Sequence, residues 1–509
     1  MDVVISTTRK VSVLFGAGAS VDAGLPMTQG LAKKVVSRAN DEPNGRIWGD
    51  TRTWVQAVNF IYGAMVDFGS RDGGNPLASV DFERLISALR FLQNKENHEV
   101  SPFVLTWKTG TSGFGSTRGV SDSDFRRAFN QELKERPRVT SQLLQIIREE
   151  INKTSKPNQS FTEAENEVLY LVKEILGELN NTDYLSPLAY LAQEQNDGLD
   201  VLTLNYDLAV ENMAEKKGIE VSYGFTEWEP GTKMSWLQKT GSINIIKMHG
   251  SLNWHDNSNG GYFTKVTTLE PTYPYNQKPW LVLGDKEKLS TKGPTLPLLR
   301  AAENSLEKTH HLVIAGYSFS DDHINDLIHG WIAHSPLRTI SIIDPEFPTN
   351  INYNSFQNVF IYKLCVNYSN RITIIRKTTK DSLTEAINQF PENPSENWFK
   401  IKNQTHENDS IMVTIELTGR TVQVNNFWSN YDNTVVKNTD NTSNDKEKGS
   451  SQNFLWEHGT EVCFYISKRY NPYSNTSDES YINFIEFEAY THPDNIPVRE
   501  KLDIKNQSI

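Results

Sequence analysis

The sequence predicts an α/β chain: a Rossmann-like parallel sheet with a large helical insertion, plus a small C-terminal mainly-β domain. Three observations predict it. Short β-branched apolar runs stop abruptly at small or polar residues, a long middle stretch repeats its apolar positions at helical spacing, and the last part alternates apolar and polar residues.

In chain order, "VSVLF" before Gly16, "LDVLTL" before Asn205 and "HLVIAG" before Tyr317 read as parallel strands buried on both faces. "TISIID", ending at Asp344, follows the helical "DDHINDLIHGWIAH", so residues 311–344 read as one strand, helix, strand unit of a doubly wound sheet. Between the first two runs, "VDFERLISALRFL" and "FTEAENEVLYLVKEILGELN" have apolar residues at helical spacing, which makes the insertion at about 28–197 helical. The glycine- and serine-rich "GSRDGGNP" and "TGTSGFGSTRGVSDSD" interrupt it as flexible joints. After Thr373 the period becomes two in "DSIMVTIELTGRTVQVNNFW", "TEVCFYISKRY" and "SYINFIEFEAY", the mark of half-buried strands. "NYDNTVVKNTDNTSNDKEKGSSQN" is too polar to bury anything and reads as a loop. The expected domains are 1–372 and 373–509.

At 509 residues the chain exceeds one ordinary core. Its 51 basic against 63 acidic residues leave a net charge of −12, which argues against a chain that coats nucleic acid. Cys365 and Cys463, the two cysteines, cannot build a four-thiolate zinc site or a disulfide framework. With no leader and no run near the roughly 20 apolar residues of a spanning helix, the expectation is a soluble, cytoplasmic protein with no bound metal.

In open parallel sheets ligands sit beyond the carboxyl ends of the strands, so the residues there matter most. Gly16 and Gly18 sit where a strand turns into a helix and let backbone amides approach a pyrophosphate; Ala17, Ala19 and Ser20 keep the wall small. The dinucleotide fingerprint of dehydrogenases fails, because Val21 stands where its third glycine belongs and the basic, helical "LAKKVVSRAN" stands where its acidic strand end belongs. Further along, Asn205, Tyr206 and Asp207 follow "VLTL", His249, Gly250 and Ser251 follow "INIIKM", Gly316, Tyr317 and Ser318 follow "LVIA", and Asp344 follows "ISII".

In their order, "GAGASVDAGLP", "TLNYD", "MHGS" and "GYSF" resemble the sirtuin pattern across about residues 11–345. Two departures stand out. The four zinc cysteines of sirtuin deacylases are absent, and Met27, Thr28 and Gln29 replace the Asp-Phe-Arg that follows the loop proline in those enzymes. The helical insertion and "DFERLISAL" resemble instead the sirtuin-like domains of bacterial antiphage defence proteins, which hydrolyse NAD to nicotinamide and ADP-ribose.

The resemblance implies that NAD+ is a substrate, and that Asn205 holds the ribose hydroxyl or positions water while His249 is the general base. It assigns Gly16, Ala17, Gly18, Ala19, Ser20, Asp207, Gly316, Tyr317, Ser318 and Asp344 to cofactor contact. Blander roles compete: Asn205 and Asp207 suit capping of a helix near "DLAVENMAEKK", and His249 suits a satisfied core position. His255, His323 and His329 lack partners at metal-ligand spacing, and "DDHIND" reads as a helix start. Trp228, Trp236 and Trp254 read as packing on the substrate side or at an oligomer contact. The implied assembly is a homo-oligomer under the control of its β domain or of a separately encoded partner such as a hexameric DNA-translocating ATPase. The alternatives are a protein deacylase and a non-catalytic module that senses NAD or ADP-ribose.

Overall fold

The computed structural model describes residues 9–41, 51–70, 75, 77, 80–94, 157–258, 263–269, 278–284, 293–348, 359–389, 398–406, 410–419, 421–429, 434–438, 454–467, 483–491 and 497–504. The joint "TGTSGFGSTRGVSDSD" lies outside them.

The chain opens with β1 (Val11–Phe15) and a 3-10 segment, Ala17–Ala23, followed by α1 (Thr28–Asp41), α2 (Thr51–Gly69), α3 (Phe82–Asn94), α4 (Pro157–Gly177) and α5 (Pro187–Glu194). Next come β2 (Leu199–Thr203), α6 (Ala209–Lys217), β3 (Val221–Ser222), β4 (Glu227–Trp228), β5 (Ile243–Lys247), β6 (Gly250–Asp256), β7 (Val266–Thr268) and β8 (Pro279–Leu281). Then follow α7 (Thr295–Lys308), β9 (His311–Ala315), α8 (Asp322–His334), β10 (Thr339–Ile343), α9 (Val359–Asn367), β11 (Ile372–Ile375) and α10 (Thr379–Asn388). Antiparallel strands complete the chain: β12 (Phe399–His406), β13 (Ser410–Leu417), β14 (Val422–Ser429), β15 (Thr434–Asn438), β16 (Phe454–Trp456), β17 (Glu461–Ser467), β18 (Asn483–Thr491) and β19 (Pro497–Ile504).

Two compact units emerge, one of Met1–Leu14 with Glu303–Ile509, the other Phe15–Ala302. Seven parallel strands carry the α/β architecture, in the order β11-β10-β9-β1 in the first unit and β2-β5-β3 in the second. Strands β1, β5, β9 and β10 are buried at every residue, as mainly apolar runs in a parallel sheet require. Register sets the strand ends: Ala315 pairs with Ile343 and Ile343 with Ile375 in the first unit, and Thr203 pairs with Lys247 in the second.

In the second unit, α1 to α4 close on one apolar core through Leu31 and Val35, Val58 and Ile61, Leu85, Ile86 and Leu89, and Val168, Val172 and Ile175. The three- and four-residue spacings put each set on one helix face. A small antiparallel sheet, β4-β7-β6-β8, lies in the same unit. Three of its four strands have only two or three residues, too few for a periodic signal, so the sequence pattern misses it.

In the first unit β11 and α10 follow the change of character near Thr373, and the antiparallel strands start only at Phe399. They form two four-stranded sheets, β12-β13-β17-β15 and β16-β14-β18-β19, around a shared core. Ile411, Val413, Ile415 and Leu417 all point inward from β13, and Phe399 stacks on Phe487 with centroids 4.4 Å apart. Thr434–Asn438, inside the stretch read as a loop, forms β15 against β17; the remainder of that stretch lies outside the described residues. Among the described residues no helix is long and apolar enough to cross a membrane.

Candidate functional site

In the second unit the glycine-rich turn and the β2 end are tied together by polar contacts. Leu204 N–H donates to the Phe15 carbonyl at 2.9 Å, which fixes the chain beyond β2 beside the start of the turn. The Asn205 amide then donates to the Gly16 carbonyl at 2.9 Å and to Ser20 Oγ at 3.1 Å. Ser20 Oγ in turn donates to Asp207 Oδ2 at 2.8 Å. The other Asp207 oxygen accepts the Ala209 N–H at 3.0 Å, at the first residue of α6, whose N-cap position is Leu208. All three side chains are buried.

Gly16 itself is extended, with φ −106° and ψ 179°, and the residues after it wind as a 3-10 segment instead of an α-helix. The strand thus enters a helical segment as expected, by a 3-10 turn, and the backbone at Gly16 is not left-handed. Ala17 is exposed, Gly18 half-buried and Ala19 buried. Tyr184 supports the loop from below by donating from its hydroxyl to the Ala19 carbonyl at 2.8 Å. Burial, and then the charges of Asp207 and Asp22, raise its phenol pKa and keep it a neutral donor.

Ser20, Thr203, Asn205 and Asp207, together with Tyr184, Glu211 and Lys247, line a recess of about 10 Å³, the room of a single water. Lys247 is 1% exposed and Glu211 7%, and they form an ion pair at 2.9 Å. Neither was singled out from the sequence. The available signal was a charged lysine directly after the apolar Ile245 and Ile246 in "INIIKM".

His249 follows β5 by two residues, as Asn205 follows β2, and Thr203 pairs with Lys247, so register brings the two to neighbouring strand ends. Met248 N–H donates to the Thr203 carbonyl at 3.0 Å and Leu252 N–H to that of Tyr206 at 3.0 Å, which keeps the two segments side by side. His249 is 3% exposed and its carbonyl accepts the Val282 N–H at 2.8 Å. Its neighbour Gly250 has φ +86°, and a Cβ there would strike the Trp280 carbonyl oxygen, which explains the His-Gly pair.

In the first unit Gly316 and Asp344 end neighbouring strands, with Gly316 N–H donating to the Ile343 carbonyl at 3.1 Å. Ser318 is exposed, its Oγ 3.0 Å from Ser320 Oγ. Tyr317 is buried, and its hydroxyl donates to Asn325 Oδ1 at 3.1 Å, inside the α8 start. Phe319 holds a left-handed φ of +55°, and the buried Asn325 amide donates to its carbonyl at 2.9 Å. Asn325 thus clamps the turn that presents Ser318. Asp344 accepts the Glu346 N–H at 2.9 Å, and burial raises its pKa above the ordinary carboxylate value.

Trp228 and Trp254 are both buried; Trp254 packs edge-on to Tyr223 and Phe225 as a core residue of the small sheet. His255 is half-buried, with its pKa lowered chiefly by burial, and His329 Nε2 lies 3.2 Å from the Tyr368 hydroxyl. Among the described residues no group of three or more His, Cys, Asp or Glu side chains is placed to hold a metal ion.

A doubly wound sheet with amide, hydroxyl, carboxylate and imidazole groups at its strand ends defines a class of α/β proteins built to hold a polar ligand. Residues 200–360 match the family model of a SIR2-like domain, a span that includes Asn205, Asp207, His249, Ser318 and Asp344. Among solved structures, a mutant Sir2 homologue complexed with 2'-O-acetyl ADP ribose is 12% identical, aligned over 74% of this chain and 90% of that one at a TM-score of 0.32. A complex of a Sir2 homologue with NAD is 12% identical over 74% of this chain and 88% of that one, also at 0.32. No curated protein matches the sequence.

Proposed function

We propose that this chain is an NAD+ glycohydrolase that cleaves the nicotinamide–ribose bond to give nicotinamide and ADP-ribose. The observation that carries the reading is the pairing of Asn205 and His249 at register-matched strand ends inside the SIR2-like segment. Cleavage sends the bonding electrons out with nicotinamide and leaves an oxocarbenium-like ribose, so the protein has only to orient the sugar and admit one nucleophile. Asn205 spends its N–H groups on Gly16 and Ser20, which leaves its Oδ1 as acceptor for a ribose hydroxyl or a water. The His249 imidazole takes the proton that water loses as it adds to the sugar. Ser20 and Asp207 hold the glycine-rich loop beside Asn205.

The resemblance to antiphage proteins extends the proposal to depletion of NAD in infected cells, by a homo-oligomer that a partner or the β domain keeps inactive until infection. The test is product analysis: purified protein with NAD, with and without an acetylated lysine peptide, followed for nicotinamide and ADP-ribose. Release that ignores the peptide supports hydrolysis. Release that requires the peptide, with acyl-ADP-ribose as product, replaces it with deacylation, and no release under activating conditions refutes both.

A further inference from the structure

The buried ion pair beneath the recess has no place in the chemistry just proposed, yet its contacts reach every element that carries it. Lys247 Nζ donates to Glu211 Oε1 at 2.9 Å and to the Asp207 carbonyl at 2.5 Å. Lys247 belongs to β5, two residues before His249; Glu211 lies in the first turn of α6; Asp207 closes the turn that starts at Asn205. The pair is extended sideways: the Tyr223 hydroxyl donates to Glu211 Oε1 at 3.1 Å, Asn253 Nδ2 to the Tyr223 oxygen at 3.0 Å, and Ser251 Oγ to Asn253 Oδ1 at 2.7 Å. One continuous polar chain therefore runs from the Asp207 carbonyl to β6, just past His249.

Stability alone is a poor reason for such a pair, because the desolvation of two buried charges offsets most of their attraction and apolar residues of similar volume pack as well. What apolar residues cannot do is fix a carbonyl by direction and distance. We infer that Lys247 and Glu211 are positioning residues that set the Asn205–Asp207 turn against the strand bearing His249. Lys247 grips the turn at the Asp207 carbonyl from the same strand that ends in His249, and Glu211 holds the ammonium in line. The spacing of amide and imidazole is set by this link, which no reacting atom touches. The activity arm of the test rests on the glycohydrolase reading; the exchange arm does not.

Removing one partner alone strands a buried charge and threatens the fold, so the test uses the paired apolar replacement, Lys247→Met with Glu211→Leu, in the full chain. Thermal unfolding checks that it folds. Hydrogen–deuterium exchange then reads residues 203–209, where the Ala209 N–H on Asp207 and the Leu204 N–H on Phe15 report the turn. The inference expects faster exchange there and a fall in kcat of about 100-fold with KM little changed, the signature of misplaced rather than missing groups. Lys247→Arg, which keeps the donor and the charge, is expected to restore part of both. Unchanged exchange, or kcat within a few-fold of the parent, overturns the inference. If the parent protein itself releases no nicotinamide, the glycohydrolase reading fails and the exchange result alone decides this one.

Discussion

The strand ends of the parallel sheet and the C-terminal sandwich bury side chains of opposite character. At the β2 and β5 ends the buried groups are Ser20, Asn205, Asp207, Glu211, Lys247 and His249. The sandwich core is Phe399, Phe427, Trp456, Phe464 and Phe487 with aliphatic neighbours. Apolar burial stabilises without direction, whereas each buried polar group is costly unless its partners are fixed. Hydrogen bonds fix the polar groups at these strand ends in place, whereas the rings of the sandwich contribute by burial alone.

That contrast is breakable. The largest expected effect is on turnover: Asn205→Ala should lower nicotinamide release by about 100- to 10,000-fold, the range for an oriented polar group in the transition state, against a loss of about 1–3 kcal/mol in stability for its two buried hydrogen bonds. In the sandwich the effect should fall on stability instead. Phe487→Ala removes a fully buried ring that stacks on Phe399 and meets Phe464 and Trp456 edge-on, and should cost about 3–5 kcal/mol, read as an earlier unfolding transition. Turnover per folded molecule lost to the same degree as in Asn205→Ala would erase the distinction.

Asn325→Ala sits between the two. It unclamps the left-handed Phe319 carbonyl and leaves the Tyr317 hydroxyl only the Asp321 carbonyl as acceptor, at a cost of about 1–3 kcal/mol by thermal unfolding. An unchanged unfolding transition would mean that the clamp adds nothing to the stability of the Ser318 turn.

The smallest effect is a pH slope in the sandwich. Glu500 accepts the Trp398 N–H at 2.6 Å, and burial lifts its carboxyl to about 7 from 4.5. A raised acid binds its proton more tightly folded than unfolded, so its contribution is complete below pH 4.5 and is lost as pH rises through 7. The sandwich Tm should fall across that window, and Glu500→Gln, which keeps an acceptor, should flatten the fall. A slope that survives the substitution assigns it to another group.

Much of this was legible beforehand because parallel strands buried on both faces write themselves as short, mainly apolar runs, as in β1, β2, β9 and β10. β11 was not, since "ITII" has four residues and adjoins the alternating region. β15 was hidden because "TVVKN" sits in a polar stretch and is a strand only through its pairing with β17. At the site, Asn205, Asp207 and His249 stood out as polar residues directly after apolar runs. The Lys247–Glu211 pair was not readable as a pair: the partners lie 36 residues apart on different elements, and no local rule joins them. The same holds for Asn325, whose task depends on a left-handed Phe319 that no side-chain pattern announces.

The central claim, that the β2 and β5 ends form a centre that consumes NAD, is tested most directly by nicotinamide release from NAD alone, measured side by side for the parent protein and His249→Ala. Calorimetric NAD binding shows whether the site survives the substitution. The account predicts steady release by the parent and its near loss in a variant that still binds NAD. Equal release by both would contradict it.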